Sequence, residues 1–417
     1  MPAKQQIQDE PDAPVARGAR FAARKQRILE AAGALFNRHG LRDATLALVA
    51  SEIGLNLKSL RYYFEKKEDL VQAAFLHSIA LYRALMDEAV AIDGFEARIR
   101  HFIASYFALR ARVYRGEQAE FVHFGDLRAI AGTAMEATVG GAYIDMFRAA
   151  RRLFRPDEGG TGPERSAAAH YLISQLLWSV VWLDGYVPED FPRVADRLSD
   201  ILLNGLAKAA TDPAAGAADV PTPFSSSDRL SQESFLRAAT GLINAQGYRG
   251  ASVERISATL KVTKGAFYHH NETRDQLVVA CFERTFDIVR QAQDLAMREE
   301  TDGLAHVGAA AVSLVTRQMR PEGALLRTSA LAAVGPELRD EMKRRLALST
   351  WRFADMLNDG LIDESVRLCD MRIAAETVTA TINAAEELQN WVPSATGENV
   401  AQLYVRLLLQ GLRLPSS

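Results

Sequence analysis

Two nine-residue stretches carry the side chains best suited to chemistry in this chain. They are Asn56-Leu57-Lys58-Ser59-Leu60-Arg61-Tyr62-Tyr63-Phe64 and Thr263-Lys264-Gly265-Ala266-Phe267-Tyr268-His269-His270-Asn271. Each has small polar residues and a lysine at its start and phenols or imidazoles toward its end. Such groups donate hydrogen bonds: a lysine suits guanine O6 and N7, while Tyr and His suit phosphate oxygens. Lys67 and Arg274 add positive charge just beyond, and Thr45 and Ser252 precede each stretch as N-cap residues. A helix N-terminus capped in this way can point at phosphate. The histidine pair His269-His270 is not read as a metal site, because adjacent residues do not share a helical face. No G-x-S-x-G, P-loop, H-E-x-x-H or dinucleotide glycine motif occurs. The chain is therefore read as a non-enzyme, with no cofactor and no metal.

The elements that must position these residues repeat. AAGALFNRHGLRDAT from Ala31 lies over AATGLINAQGYRGAS from Ala238, matching Ala32, Leu35, Asn37, Gly40 and Arg42 with Ala239, Leu242, Asn244, Gly247 and Arg249. The offset of 207 persists without a gap to Leu70 and Leu277, then to Phe75 and Phe282. A period of that size is a domain and not a solenoid repeat. LDGYVPED at Leu183 and LQNWVPSA at Leu388 lead into closing segments that end LLNGL and LLQGL. Apolar residues recur at i, i+3 and i+4 throughout, with no sustained alternation of period two, so the class is all-α. Each copy reads as a helix ending at Gly40 or Gly247, a short helix, a turn (Gly54-Leu55-Asn56 or Lys261-Val262-Thr263) and a third helix. That is a three-helix unit containing a helix-turn-helix, with Val49, Ile53, Leu55 and Leu60 as its small core.

At these residues the sequence resembles the TetR/AcrR family of bacterial regulators, as a tandem duplication of two TetR-like units. The strong likeness covers about 50 residues per copy, at Asn56–Phe64 with Lys67, Glu68 and Leu70, and at Thr263–Asn271 with Arg274, Asp275 and Leu277. A weaker likeness covers most of the rest. The resemblance implies that Asn56, Lys58 and Ser59, and Thr263, Lys264 and Gly265, face bases. Arg61, Tyr62, Tyr63, Lys67, Tyr268, His269 and Arg274 would then serve the duplex and its phosphates. Tyr63 and Phe64 have a second reading, packing against the first helix. Arg17, Arg20, Arg24 and Lys25 read either as an arm reaching along the duplex or as a solvated tail. The copies depart from the family pattern differently: Leu57, Lys58 and Arg61 stand in the first where Lys, Gly and Tyr are usual, and Asn271 in the second where an aromatic packs. Unlike reading heads imply an asymmetric double-stranded DNA operator, or one head that binds mainly phosphates.

The expected order is a mobile basic arm over 1–20, a first helix-turn-helix domain over 21–70 and a first helical regulatory domain over 71–208. A linker over 209–229, a second helix-turn-helix domain over 230–277 and a second regulatory domain over 278–417 follow. In the family, the regulatory region holds an effector pocket and a two-helix dimerisation face. The last helices are expected at about 164–186 with 190–208, and 371–391 with 397–413. Tyr106, Phe107, Phe121, Phe124, Arg128 and Phe147, with His123 and Met146 beside them, are candidates for a small apolar or amphipathic effector in the first copy. The second copy, poorer in aromatics, is expected to have a smaller pocket or none. Leu176, Val180 and Leu183 could meet Leu403 and Leu407 in an intrachain pseudo-dimer; two chains could instead form a homodimer with four heads.

Composition agrees with an ordinary globular protein of 417 residues, 48% hydrophobic and 24% charged, long enough for two cores. The net charge of −3 hides a basic stretch: residues 17–67 hold 11 Lys/Arg against 4 Asp/Glu. Basic segments on an acidic body suit an anionic partner. Two cysteines, no secretory-type start and no long uncharged apolar run give the expectation of a cytoplasmic protein without membrane contact. The leading expectation is a repressor released by a ligand. The alternatives are a helical protein-interaction module and a ligand-blind architectural DNA-binding protein.

Overall fold

The computed structural model describes residues 14–124, 127, 130, 132–209, 227–250, 255–256, 258, 273–320 and 323–415. Among these the chain is helical, with one isolated bridge between Ala207 and Val366. Residues 1–78 with 119–123 form one unit, and 79–118 with 124–417 form the other.

The first unit begins with α1 (Pro14–Asp43), α2 (Leu46–Glu52) and α3 (Leu57–Arg61), followed by the start of α4 (Lys67–Val90). Residues 14–20, read from sequence as mobile arm, belong to α1; proline suits a first helical position. Gly40, at φ 72°, breaks α1 in the left-handed region that glycine enters without steric cost. Ile28, Ala32, Leu35, Phe36, Ala44, Val49, Ala50, Leu60, Phe64 and Leu70 are buried and form the core of this head. The face that α1 turns to residues 119–123 needs a glycine for a different reason. A Cβ on Gly33 would lie 2.8 Å from the Glu120 carbonyl oxygen.

The second unit continues through α5 (Phe95–Tyr114), α6 (Glu136–Arg151), α7 (Gly162–Trp182) and α8 (Phe191–Asn204). It resumes with α9 (Ser227–Gly250), α10 (Arg274–Glu299), α11 (Gly303–Gln318), α12 (Pro336–Ile362) and α13 (Met371–Ala384). A short α14 (Leu388–Trp391), a π-helical turn at Ala401–Val405 and α15 (Arg406–Gln410) close it. Most of the expected linker falls on residues outside the described set, although its last three, 227–229, lie within α9. Helix α9 also runs on through Gly247 to Gly250, where a stop was expected. Glycine permits a left-handed exit but does not impose one.

The duplication is visible in side-chain ties between corresponding helices. In the first copy Gln26 Nε2 lies 3.2 Å from His77 Nε2, joining α1 to α4. At the same stations in the second copy, Arg284 Nε donates to both oxygens of Glu233 at 2.9 Å, joining α9 to α10. Both members of that ion pair are buried.

Helices α7 and α8 of the first copy pack against α13 and α15 of the second. Gln175 Nε2 donates to the Thr377 carbonyl at 3.2 Å and to Thr381 Oγ1 at 3.1 Å. Trp178 Nε1 donates to Glu376 at 3.1 Å, and Tyr404 Oη lies 3.0 Å from His170 Nδ1. Below them the two closing segments cross backbone to backbone. Leu206 N donates to the Leu409 carbonyl at 3.0 Å, and Leu412 N to the Leu202 carbonyl at 2.8 Å. Gly205 and Gly411, at φ 68° and 85°, stand at this crossing; a Cβ on either would come within 2.3 Å of a backbone oxygen across it. Leu176, Leu183 and Leu407 are fully buried, while Val180 and Leu403 are half-buried.

Candidate nucleic-acid interface and effector cavity

The first reading head is built from two capped helices and one glycine turn. Thr45 Oγ1 accepts from Leu48 N at 3.2 Å at the start of α2, and Asn56 Oδ1 accepts from Ser59 N at 2.8 Å at the start of α3. Gly54, at φ 65°, makes the turn between them. Val49 and Leu60 are fully buried and hold α3 at a fixed inclination. Arg38 of α1 ties down Glu52 of α2 at 2.9 Å.

What α3 leaves outside is polar and basic. Lys58 and Arg61 are exposed, Ser59 is half-buried, and Tyr62 is 75% exposed. Asn56 has its oxygen engaged in the cap, so only its amide NH₂ remains to donate outward. Tyr63 stacks on Phe21 of α1 with ring centroids 4.8 Å apart, and Tyr62 meets the same ring edge-on at 5.8 Å. Sequence reasoning missed Phe21, whose partners lie some 40 positions away; its place one residue into the expected first domain was the available signal. Phe64 is buried, as the packing reading had it, with Lys25 Nζ 5.3 Å from its ring centroid. Lys25 and the half-buried Arg24 therefore sit on a helix beside the head and not on an arm. Lys67 opens α4. In the second head, Ser252, Thr263, Lys264, Gly265, Tyr268 and His269 lie outside the described residues, as does the side chain of Arg274, which opens α10.

The effector candidates of the first copy are packed on one another. Tyr106, Phe107, Met146 and Phe147 are buried within the helical bundle, and Phe124 is 8% exposed. Tyr82, Phe124 and Tyr143 form a contiguous row, with centroid separations of 5.4 Å and 5.2 Å. Phe147 continues it and stacks on Trp391 at 3.9 Å. Phe121 belongs to the other unit, where its carbonyl accepts from Asn37, and Arg128 lies outside the described residues. An apolar cavity of about 40 Å³ lies in the second copy, between α10, α12, α13 and residues 325–331. The aromatic-poor second copy was expected to have a smaller pocket or none, and the space present there is a small one. Smaller side chains on a similar helical frame leave space instead of removing it.

Two short helices joined by a glycine turn, the second carrying exposed donors, define a helix-turn-helix protein. Residues 28–74 and 235–281 each match the family described as bacterial regulatory proteins, tetR family. Both copies thus carry a tetR-family domain, the two matched segments lying 207 residues apart. It is 38% identical over 60 residues to the Transposon Tn10 TetC protein of Escherichia coli, a match covering 13% of this chain and 30% of that protein. It is 37% identical over 54 residues to the HTH-type transcriptional regulator BetI of Proteus mirabilis (strain HI4320), covering 13% and 27%. The chain thus spans less than a third of the length of these curated relatives. Among solved structures, apo AibR is 19% identical with a TM-score of 0.36, covering 42% of this chain and 97% of that one. The TetR family regulator PfmR from Thermus thermophilus is 20% identical with the same score, covering 43% and 98%. No helix among the described residues is long and apolar enough to cross a membrane.

Proposed function

We propose that this protein is a sequence-specific DNA-binding transcriptional regulator, acting as a repressor that a small apolar effector releases. The observation that carries the reading is the exposed row Lys58, Arg61 and Tyr62 on a helix whose start is fixed by Asn56 and whose buried side is fixed by Leu60. A helix so held can enter a major groove, with Lys58 and Ser59 toward base edges and Arg61 and Tyr62 toward phosphates.

In this proposal the two heads act as an internal pseudo-dimer. Support comes from the reciprocal backbone bonds of Leu206 and Leu412, which relate the closing segments of the two copies as a twofold axis relates identical subunits. Because the recognition stretches differ, the two half-sites differ as well.

A nuclease footprint on selected fragments of the source genome tests both parts. A protected site of roughly 20 base pairs with two unlike halves is the expected result. A site twice as long means two chains with four heads, and no protection at low salt overturns the DNA reading. Release of the footprint by a small molecule, with transcription of the adjacent gene rising, is the expected sign of repression.

A further inference from the structure

The two copies can be aligned around the cavity through contacts as well as sequence. Helices α4 and α10 begin at Lys67 and Arg274 and share the offset of 207, which places Tyr82 opposite Val289. Asn37 Nδ2 donates to the Phe121 carbonyl at 2.9 Å while its Oδ1 accepts from His123 N at 2.9 Å. Asn244 does the same with the Leu325 carbonyl at 2.8 Å and Arg327 N at 3.1 Å. That places Phe124 opposite Thr328. Tyr143 and Ser349 each stand four residues ahead of a buried phenylalanine, Phe147 and Phe353. The aromatic row Tyr82, Phe124 and Tyr143 of the first copy is therefore replaced by Val289, Thr328 and Ser349 in the second, and all three replacements line the cavity.

From this we infer that the second copy alone takes the effector, in the space its three smaller side chains leave, while the first copy carries its own aromatic plug. The inference rests on the regulator reading proposed above. The cavity lining is uncharged, with Thr285, Thr328, Ser349, Thr379 and Asn383 as polar groups among apolar walls, so the ligand is a small neutral molecule, mainly apolar, that carries a hydrogen-bonding group. At about 40 Å³ the space holds little more than a water-sized group, so binding displaces a neighbour. Met342, unbranched and adaptable, is the side chain built to yield. Leu325 and Leu326 form part of the same wall, and Leu326 N is held by Thr285 Oγ1 at 2.9 Å. A ligand that pushes this wall moves the segment held by Asn244, which sits on the first helix of the second head. Asn244 is thus a positioning residue that passes the ligand's presence to the DNA.

Thermal melting of the full chain with benzene or phenol at near-saturating concentration tests the site without DNA. The wild type is expected to gain about 3 °C or more. The gain is expected to vanish in V289Y/T328F/S349Y, whose cavity is refilled. Met342→Ala, which enlarges the space without refilling risk, is expected to tighten phenol binding several-fold. No gain in the wild type, a gain that survives refilling, or unchanged affinity in M342A overturns the inference. Footprinting the same samples separates the two readings. Loss of ligand response with DNA binding intact defeats only the inference, whereas ligand binding without any footprint defeats only the regulator reading. In N244A, which frees the Leu325 wall from the head, phenol is expected still to bind, with an affinity that the looser wall alters, but no longer to change the footprint; a footprint that still responds removes the role given to Asn244.

Discussion

Asn37 and Asn244, 207 positions apart, each grip a distant backbone segment by the same two hydrogen bonds, donating to one carbonyl and accepting from the N–H two residues on. Both stand on the first helix of a reading head. Both hold residues that follow the second helix of the regulatory region. An amide is the side chain that can do this, because it offers a donor and an acceptor on one rigid plane. Asn37→Ala is expected to cost about 1–2 kcal/mol and Asn244→Ala about 2–3 kcal/mol, since the second site is buried and leaves its partners without water. Urea unfolding of the two variants checks the order.

On the DNA face, the side chains of α3 should separate by role. Lys58→Ala and Arg61→Ala are expected to weaken binding and each to reduce the salt slope by about 1. Asn56→Ala is expected to lower stability by about 1 kcal/mol through loss of the helix cap, with little change in the slope. Filter binding across a salt series, set beside melting curves, distinguishes the two outcomes.

The helix-turn-helix was legible because its determinants are local: the apolar spacing of Val49 and Leu60, the glycine turn at Gly54 and the cap at Thr45; that Asn56 caps the next helix came only with the structure. Asn37 and Asn244 were visible as matched positions, but their role depends on partners more than 80 residues away, which no periodicity encodes. The repeated LLNGL and LLQGL endings marked Gly205 and Gly411 without revealing that the two backbones touch. The cavity of the second copy was not legible for a related reason. A count of aromatics shows where large side chains are, whereas an open space requires that they be missing from a frame that is still present.

Glu376, which accepts from Trp178 across the contact between α7 and α13, is expected to make that contact sensitive to pH. Burial pushes its carboxyl up to about 7, against the Trp178 hydrogen bond and the charge of Arg372, which favour the carboxylate. The folded protein therefore prefers the protonated form. This contribution is fully present below the ordinary carboxylate range near 4.5 and is lost as pH rises to about 7. Its size is on the order of 1–3 kcal/mol. The difference in unfolding free energy between wild type and Glu376→Gln, followed from pH 4.5 to 8, should decline over that interval and then level. A flat difference would remove Glu376 from the pH response.

The crossing of the closing segments gives a sharper structural test. Gly205→Ala and Gly411→Ala each place a methyl group against a backbone oxygen at a positive φ. Each is expected to cost more than about 2 kcal/mol. Ala substitution at Gly140, where an added Cβ meets nothing within 4 Å, is expected to be near neutral and serves as the control.

The reciprocal bonds of Leu206 and Leu412 join two halves that are also one polypeptide. Their association is a first-order process, set by the length of the intervening chain and indifferent to dilution. A pair of separate subunits falls apart as its concentration falls, and every substitution in it appears twice. Here a single gene change alters one half and leaves the other as it was. A substitution that would be ruinous if doubled, such as the loss of Tyr82, Phe124 or Tyr143 from both halves at once, can be carried by one half while the other keeps the original packing.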